Sequence, residues 1–494
     1  MDRPPAAQAD FADELAAVRP DLAARYAAEL PGARAAVLSR LWRGLTHDPL
    51  PWVAGRTGGR DGLSLRLTDG RRLDGPVPDP FATASYVTAV RLDETVYDDP
   101  ARLMMDLGVA HSAEFAAELA DSVASVALSR AGQPGSSVKW PESDWEWEQR
   151  VVDGHPYHPN CRSRPGFSVA EQLAYGPEHR PLVRLGLMPV PADECLVTGD
   201  WPDDLRDGDR LLVPVHPWQA EHVLKRSCAE GFDAHPLMSL RTLAVPGGPH
   251  VKTALSARIT SSVRDISGYS IGLSATLSRF AESLSARMDG LLHFTRTLGA
   301  ATADSPDLAA VLRESPQVYG DRVLPVAALA TTELPDSPAW LADFARLALT
   351  AGLRLLELGV ALEAHGQNLL VVLDASNTPV SLVYRDLADI RVSPARLTRH
   401  GVLVPELTGR VVTDDVTTLR RKLFGSLVCG ALAGTAGSAA ALRTALETAV
   451  RDLPRTPDLA ALLEEPLPAK ALTLMRLSPG TPGDQWTRLP NPLH

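Results

Sequence analysis

Residues 251–267, VKTALSARITSSVRDIS, restrict the possible folds of this chain more than any other stretch. Val251, Leu255, Ala257 and Ile259 are apolar, whereas Lys252, Ser256, Arg258, Thr260, Ser262 and Arg264 share the opposite parity and are polar. Alternation of period two belongs to a β-strand with one face in a core and the other presenting donors. As one straight strand, Lys252 to Arg264 would span roughly 40 Å at about 3.3 Å per residue. Most strands are shorter, so a bend or bulge is expected near residues 260–262, drawing the cations together. Such alternation usually marks the wet face of an antiparallel sheet. Cations on one sheet without carboxylates between them repel one another unless an anion fills the gap, which makes this face a candidate floor for a polyanionic ligand.

The surrounding composition sharpens that reading. The chain has 494 residues, too many for one core, and a net charge of −11, which argues against a general nucleic-acid binder. Any anion site must then be a local concentration of cations. Those cations are nearly all arginine: Lys139, Lys225, Lys252, Lys422 and Lys470 are the five lysines, so 44 of the 49 basic residues are Arg. Lys252 therefore departs from the default where a compact ammonium suits the site. Cys161, Cys195, Cys228 and Cys429 have no close pair and no zinc-like spacing, as expected of reduced thiols in a cytoplasmic protein. No signal-peptide pattern opens the chain and no run approaches twenty apolar residues, so no membrane association is expected.

Taken in order, residues 10–45 read as two helices divided around Pro31. Residues 63–75 read as a hairpin turning at Asp69-Gly70, and residues 100–130 as further helix. A turn-rich junction, 131–149, becomes aromatic and acidic at DWEWEQ. The middle of the chain is richer in strand signals. LLVPVHP (211–217) is a strand, WQAEHVLKRSCAEGF (218–232) a helix, and 237–257 two strands joined through Pro246-Gly247-Gly248-Pro249. Helix resumes over 271–289. From Ser337, a candidate cap followed by Pro338, a long helix apolar on nearly all sides runs until Gly366 breaks it. Strands at 369–374 and 381–387 follow, then more helices. The expected architecture is α+β in three domains: a mostly helical 1–149, a central antiparallel-sheet domain 150–336 and a helix-rich 337–494, with a cleft between the second and third.

Three constellations carry chemistry. GHPYHPNCRSRPGFS (154–168) places His155 and His158 before prolines, with Arg162 and Arg164 close behind. No third and fourth ligand stands at zinc-like spacing, so a loop meeting phosphate or carboxylate is the functional reading, beside a rigid structural loop. SLRT (239–242) precedes the opening stretch, and pairing of the two strands would bring Ser239, Arg241 and Thr242 toward Lys252. HGQNLLVVLD with the following RD puts His365, Gln367 and Asn368 in a polar loop and Asp386 one strand hairpin later, with Glu363 just upstream. Kinases use a similarly spaced Asn and Asp to hold Mg²⁺ over ATP, yet the H-R-D, D-F-G and Gly-rich signatures are missing. Walker A, Rossmann, G-x-S-x-G and H-E-x-x-H patterns are missing too.

In this order, GHPYHPNCRSRPGFS, SLRT, KTALSARITSSVRD, HGQNLLVVLD and RDL resemble the NRPS-independent siderophore synthetases, the aerobactin-synthetase-like family, over about residues 154–386 and plausibly to the C-terminus. The resemblance implies a cradle-like, three-part structure, often dimeric. It implies an enzyme that uses ATP and Mg²⁺ to adenylate a carboxylate such as citrate, then passes the acyl group to an amine, hydroxylamine or alcohol. By motif, Ser239, Arg241, Lys252, Thr260 and Arg264 would meet the phosphates and the acid. His365, Gln367 and Asn368 would face the nucleotide and reacting carboxylate. Glu363, Asp386 and Asn368 would lie near magnesium. His155 or His158 would join from the entrance loop, and His365 or that histidine is a candidate base. Arg162 stands where family members commonly carry lysine. A chelator-binding or inactive relative, and a small-molecule phosphotransferase, are the competing readings; AMP with pyrophosphate against ADP separates the last.

Overall fold

The structure is a computed structural model that describes residues 7–59, 62–134, 140–260, 262–303 and 305–494. Three large apolar clusters organise it. The first gathers residues 11–131 with Cys161, Val169 and Leu477. The second lies within 183–312. The third joins Phe81, Trp147 and Tyr157 to residues 277–489. Segments at both ends of the chain thus share cores with segments hundreds of residues away.

The N-terminal helices are Ala7–Val18 and Ala23–His47, so the break falls at residues 19–22 rather than at Pro31. Arg19 leaves helical geometry (φ −142°, ψ 71°) ahead of Pro20, which opens a short 3₁₀ turn. Pro31 instead sits inside the second helix on an exposed face. Ala27, whose carbonyl loses its amide partner there, is also exposed and can be hydrated. The expected hairpin forms between Gly62–Leu67 and Arg72–Gly75, with Gly70 at φ +93°. It belongs to a five-stranded antiparallel meander over residues 53–97, more strand than a mostly helical reading allows.

The central layer is a nine-stranded antiparallel sheet. At its middle Thr242–Ala244 pairs with His250–Thr253, placing Thr242 opposite Lys252, and the connecting loop turns at Gly247 (φ +67°). The expected helix at 218–232 lasts only from Pro217 to Leu224. Lys225 takes a left-handed conformation, and Ala229–Pro236 continues as a strand of the sheet.

The stretch that opened the sequence reading is not one bent strand. Its first part, His250–Thr253, is in the large sheet, and Leu255–Ile259 with Ser262–Arg264 makes a separate two-stranded hairpin. The chain reverses where a bend was expected: Thr260 is left-handed at φ +59°. Ser261 and the side chain of Ser262 lie outside the described residues, as do Met1–Ala6 and Lys139.

In the C-terminal part, Ser337 caps the helix Pro338–Leu358 by accepting from the Trp340 N–H. The helix stops at Gly359, seven residues before the expected break. Gly359 (φ +108°) closes the end with hydrogen bonds to the Leu355 and Leu356 carbonyls. Eleven of the helix's residues are buried, and each fully buried leucine among them contributes about 2 kcal/mol. At Gly352 a Cβ would come within 2.7 Å of Leu427, so the helix approaches its neighbour closely only because no side chain intervenes. That neighbour, Phe424–Leu432, is wound as a π-helix. Leu369–Leu373 and Pro379–Tyr384 pair as expected, within a four-stranded sheet that also takes Leu292–Phe294 and Val323–Pro325.

Candidate active site

A cavity of about 840 Å³ opens between these layers. Every candidate residue named from the sequence lines it: His155, His158, Arg162, Arg164, Ser239, Arg241, Thr242, Lys252, Thr260, Arg264, Glu363, His365, Gln367, Asn368 and Asp386. Arg258, which shares parity with Lys252 and Arg264, does not; it turns to Glu118 at 3.4 Å. Among the described residues, ten arginines and three lysines line the cavity against six carboxylates. In a protein of net charge −11 this is a marked local reversal of sign.

One wall comes from the large sheet and the small hairpin. The 239–242 turn is set by the Thr242 N–H donating to Ser239 Oγ (3.1 Å) and by Leu240 at φ +67°. It aims Arg241 so that Nη1 donates to the carbonyls of Arg264 and Asp265, at 2.6 and 2.7 Å. The same contact ties the turn to the hairpin. Among the described residues, neither Arg241 nor Arg264 forms an ion pair; Arg264 Nη2 donates only to the Ile259 carbonyl, at 3.3 Å. Thr260 at the hairpin tip donates its N–H to the Ser163 carbonyl, joining the hairpin to the entrance loop.

Lys252 Nζ lies 2.8 Å from Asp386 Oδ2, and Arg313 Nη2 lies 3.0 Å from Oδ1. One carboxylate thus faces four cations. Burial lowers the Lys252 pKa to about 7 despite Asp386, and lowers that of Arg241 to about 10. Burial opposes ionisation of Asp386 as well, but Arg313 and Lys252 outweigh it and hold it well below the usual carboxylate range. The wall is short of negative charge.

The opposite wall is the loop after the long helix. His365 is fixed by the Gln367 N–H donating to its Nδ1 (3.3 Å). Asn368 Nδ2 donates to the Glu363 carbonyl. Arg385 holds the Gln367 carbonyl through Nε and Nη2, at 3.0 and 2.8 Å. Glu363 Oε1 takes Lys470 at 2.8 Å and Lys422 at 3.2 Å. Behind it the π-helix presents Ser426, which accepts from the Ala364 N–H.

All three cavity imidazoles named from the sequence turn Nδ1 to backbone. His155 Nδ1 accepts from the N–H groups of Tyr157 and His158, and His158 Nδ1 from that of Asn160. A nitrogen that accepts an amide N–H carries no proton, so each neutral ring has its proton on Nε2. Burial lowers the His158 pKa to about 3 and also lowers those of His155 and His365. These rings are N–H donors to the cavity, which runs against the expectation that one serves as general base.

The entrance-loop arginines depart from expectation as well. Arg164 makes two hydrogen bonds to Glu178, at 2.8 and 3.0 Å, and Arg162 a third at 3.1 Å. Glu178 is fully buried. Both guanidinium groups are already committed to this carboxylate, so the trio ties loop to scaffold. Of the three expected magnesium ligands, Asp386 faces cations with both oxygens and Glu363 with Oε1, which leaves Asn368, tied through Nδ2 to the Glu363 carbonyl. Among the described residues no group of three His, Cys, Asp or Glu side chains is placed to hold a metal. The donor set does not fit a resident ion.

Sequence reading missed Arg40 and Arg43 of the second helix, Arg313, Arg385, Lys422, Lys470 and Arg476, all of which reach the cavity. Lysine scarcity was the available signal: three of the chain's five lysines line this one cavity.

The solved structure of the petrobactin biosynthesis protein AsbB from Bacillus anthracis str. Sterne superposes with a TM-score of 0.76, covering 100% of this chain and 98% of that one at 17% identity. The ATP-bound aerobactin synthetase IucA from a hypervirulent pathotype of Klebsiella pneumoniae gives 0.73, with 93% and 99% covered at 20% identity. The fold is shared with those synthetase structures. In sequence, the citryl-spermidine/3,4-dihydroxybenzoyl-citryl-spermidine:spermidine ligase of Bacillus anthracis is 24% identical over 49% of this chain and 50% of its own length. The chain thus spans about half the length of that relative. Residues 143–331 match the IucA / IucC family model and residues 338–483 the model described as ferric iron reductase FhuF-like transporter. Residues 143–331 of this chain thus carry the IucA/IucC family pattern. Among the described residues no single helix is long and apolar enough to cross a membrane.

Proposed function

We propose that this chain is an ATP-dependent synthetase that adenylates a citrate-like carboxylic acid and condenses it with an amine, hydroxylamine or alcohol in siderophore biosynthesis. The observation that carries the reading is the under-neutralised wall of Arg241, Lys252, Arg264 and Arg313 around one carboxylate, Asp386. Four cations held this way are stabilised by a ligand with several negative charges, and a triphosphate beside a carboxylate supplies them. The citryl-spermidine ligase among the relatives, and the ATP bound by the Klebsiella protein, support the same choice.

In this reading an oxygen of the acid attacks the α-phosphorus of ATP, the bond to the β-phosphate oxygen breaks, and pyrophosphate leaves. Two anions must approach each other, and Lys252, Arg241 and Arg264 lower that repulsion and stabilise charge on the pentacovalent transition state. The nucleophile then attacks the acyl carbon and AMP departs. The Nε2–H groups of His155, His158 and His365 donate to oxygens that become more negative during either step. None offers a free lone pair, so the departing phosphate or water takes the nucleophile's proton. Magnesium bound with the nucleotide would supply further charge neutralisation on its phosphates, while Glu363 and Asp386 are engaged by lysine and arginine. Catalysis in the cytoplasm, possession of a second subunit and the three-domain division at 149 and 336 belong to this proposal.

The test is an acid-by-amine panel read by pyrophosphate release with AMP identified as co-product. ADP in place of AMP would establish a phosphotransferase. Failure to bind ATP in calorimetry would establish a chelator-binding or inactive relative.

A further inference from the structure

The acidic, aromatic helix Asp144–Gln149 takes no part in the chemistry just described, yet two of its carboxylates are buried against the cavity walls. Glu148 is 2% exposed. Its Oε1 lies 2.6 Å from Arg385, and its Oε2 accepts the Met238 N–H at 2.9 Å. Arg385 passes the contact on through its guanidinium to the Gln367 carbonyl and through its own N–H to the Asn368 carbonyl. Met238 immediately precedes the Ser239–Thr242 turn. One carboxylate therefore touches both walls, one wall attached to the nine-stranded sheet and the other to the four-stranded sheet. One turn earlier, Asp144 Oδ2 lies 2.6 Å from His250 Nε2, at the start of the strand that carries Lys252.

A buried ion pair is poor evidence of a contribution to stability, because apolar replacements of similar volume often serve as well. What an apolar pair would not supply is the directed use of both oxygens, each toward a different wall. We propose that Glu148 is a positioning residue that sets the spacing of the 239–242 turn and the 365–368 loop, and so the grip on the nucleotide between them. The inference rests on the functional reading above for the identity of the ligand.

The experiment varies ATP at saturating acid for Glu148→Gln, whose amide oxygen keeps the Met238 contact while the charge facing Arg385 is lost. The expected result is a KM for ATP raised about tenfold, with kcat within about threefold and the thermal midpoint within a few degrees. Glu148→Asp, which keeps the charge on a shorter arm, should fall between wild type and Glu148→Gln, and carries the test if the glutamine variant does not fold. Glu148→Gln combined with Arg385→Gln should be no worse than the more impaired single variant, because the two form one connection. An unchanged KM, a loss confined to kcat, or additive effects in the double variant would overturn the proposal. If the wild-type protein releases no pyrophosphate with any acid, the functional reading fails instead. The positioning claim is then decided by ATP affinity in calorimetry, where the same tenfold weakening is expected and equal affinity refutes it.

Discussion

The cavity contains two arginine-rich clusters that look alike in sequence and differ in charge balance. At the entrance, Arg162 and Arg164 converge on Glu178, whose own pKa burial would raise but the two guanidinium groups hold well below the ordinary range. Both guanidinium groups are buried and hydrogen-bonded to it, so two cations on one carboxylate are committed to the scaffold. On the inner wall, Arg241, Lys252, Arg264 and Arg313 share Asp386, and two of them contact carbonyls alone. A cation cluster therefore cannot be assigned a role from its cations; the carboxylates that face it decide whether it is scaffold or site.

The largest effect should come from breaking the closed cluster. Glu178→Ala leaves two buried guanidinium groups unpaired and should destabilise the fold by about 4 kcal/mol in chemical denaturation, with or without ATP. A loss that ATP fully restores would place that cluster in the site instead.

A third arrangement extends the contrast. Asp48 is buried and makes no ion pair among the described residues, accepting instead the N–H groups of Thr473 and Leu474. Burial raises its pKa to about 7. Against an unfolded value near 3.9, the native state keeps a proton that the unfolded chain releases, so stability falls as pH rises from about 4 to 7. Asp48→Asn should abolish this slope, worth on the order of 4 kcal/mol across the window. Denaturation midpoints in a pH series provide the check, and a slope that survives the substitution would refute the assignment.

On the open cluster, Arg264→Ala should cost about a hundredfold in acyl-hydroxamate formation from acid, ATP and hydroxylamine, with little change in thermal midpoint. Wild-type rates in that variant would remove Arg264 from the site. The smallest effect concerns Lys252. Its pKa near 7 means the ligand-free site holds only part of its charge at neutrality, and a triphosphate should raise that pKa. ATP binding should then take up protons above pH 7, and affinity should fall about tenfold per pH unit at most. Lys252→Arg stays charged and should lose this dependence. Calorimetry in buffers of different ionisation enthalpy measures the uptake directly.

Much of this site was legible before the fold was known, because its motifs are local. The Lys252–Arg264 stretch and the His365–Asn368 loop are each continuous in sequence, so their residue types could be read together even though the first is split between two sheets. What was not legible depends on distance. Glu178 stands 14 residues beyond Arg164, and nothing in the intervening sequence couples them, so the structural pairing was invisible. Lys422 and Lys470 join Glu363 from remote segments, and only their rarity as lysines marked them. The misplaced helix ends have local causes that several residues could have supplied. Gly359 and Gly366 both permit a stop, and packing against Arg396 and Leu397 selects the first.

The π-helical segment Phe424–Leu432 bears on where this chain could tolerate a change in length. Such a turn accommodates one residue more than an α-helix of the same reach. Removing a single residue from it beyond Ser426 would therefore let the segment return to ordinary winding with the helical faces on either side kept. Ser426 would still face Ala364 and Lys422 would still face Glu363. The α-helix before it, Val416–Leu423, has no such slack: losing one residue there would turn one side by about 100° relative to the other, a frame error in three dimensions.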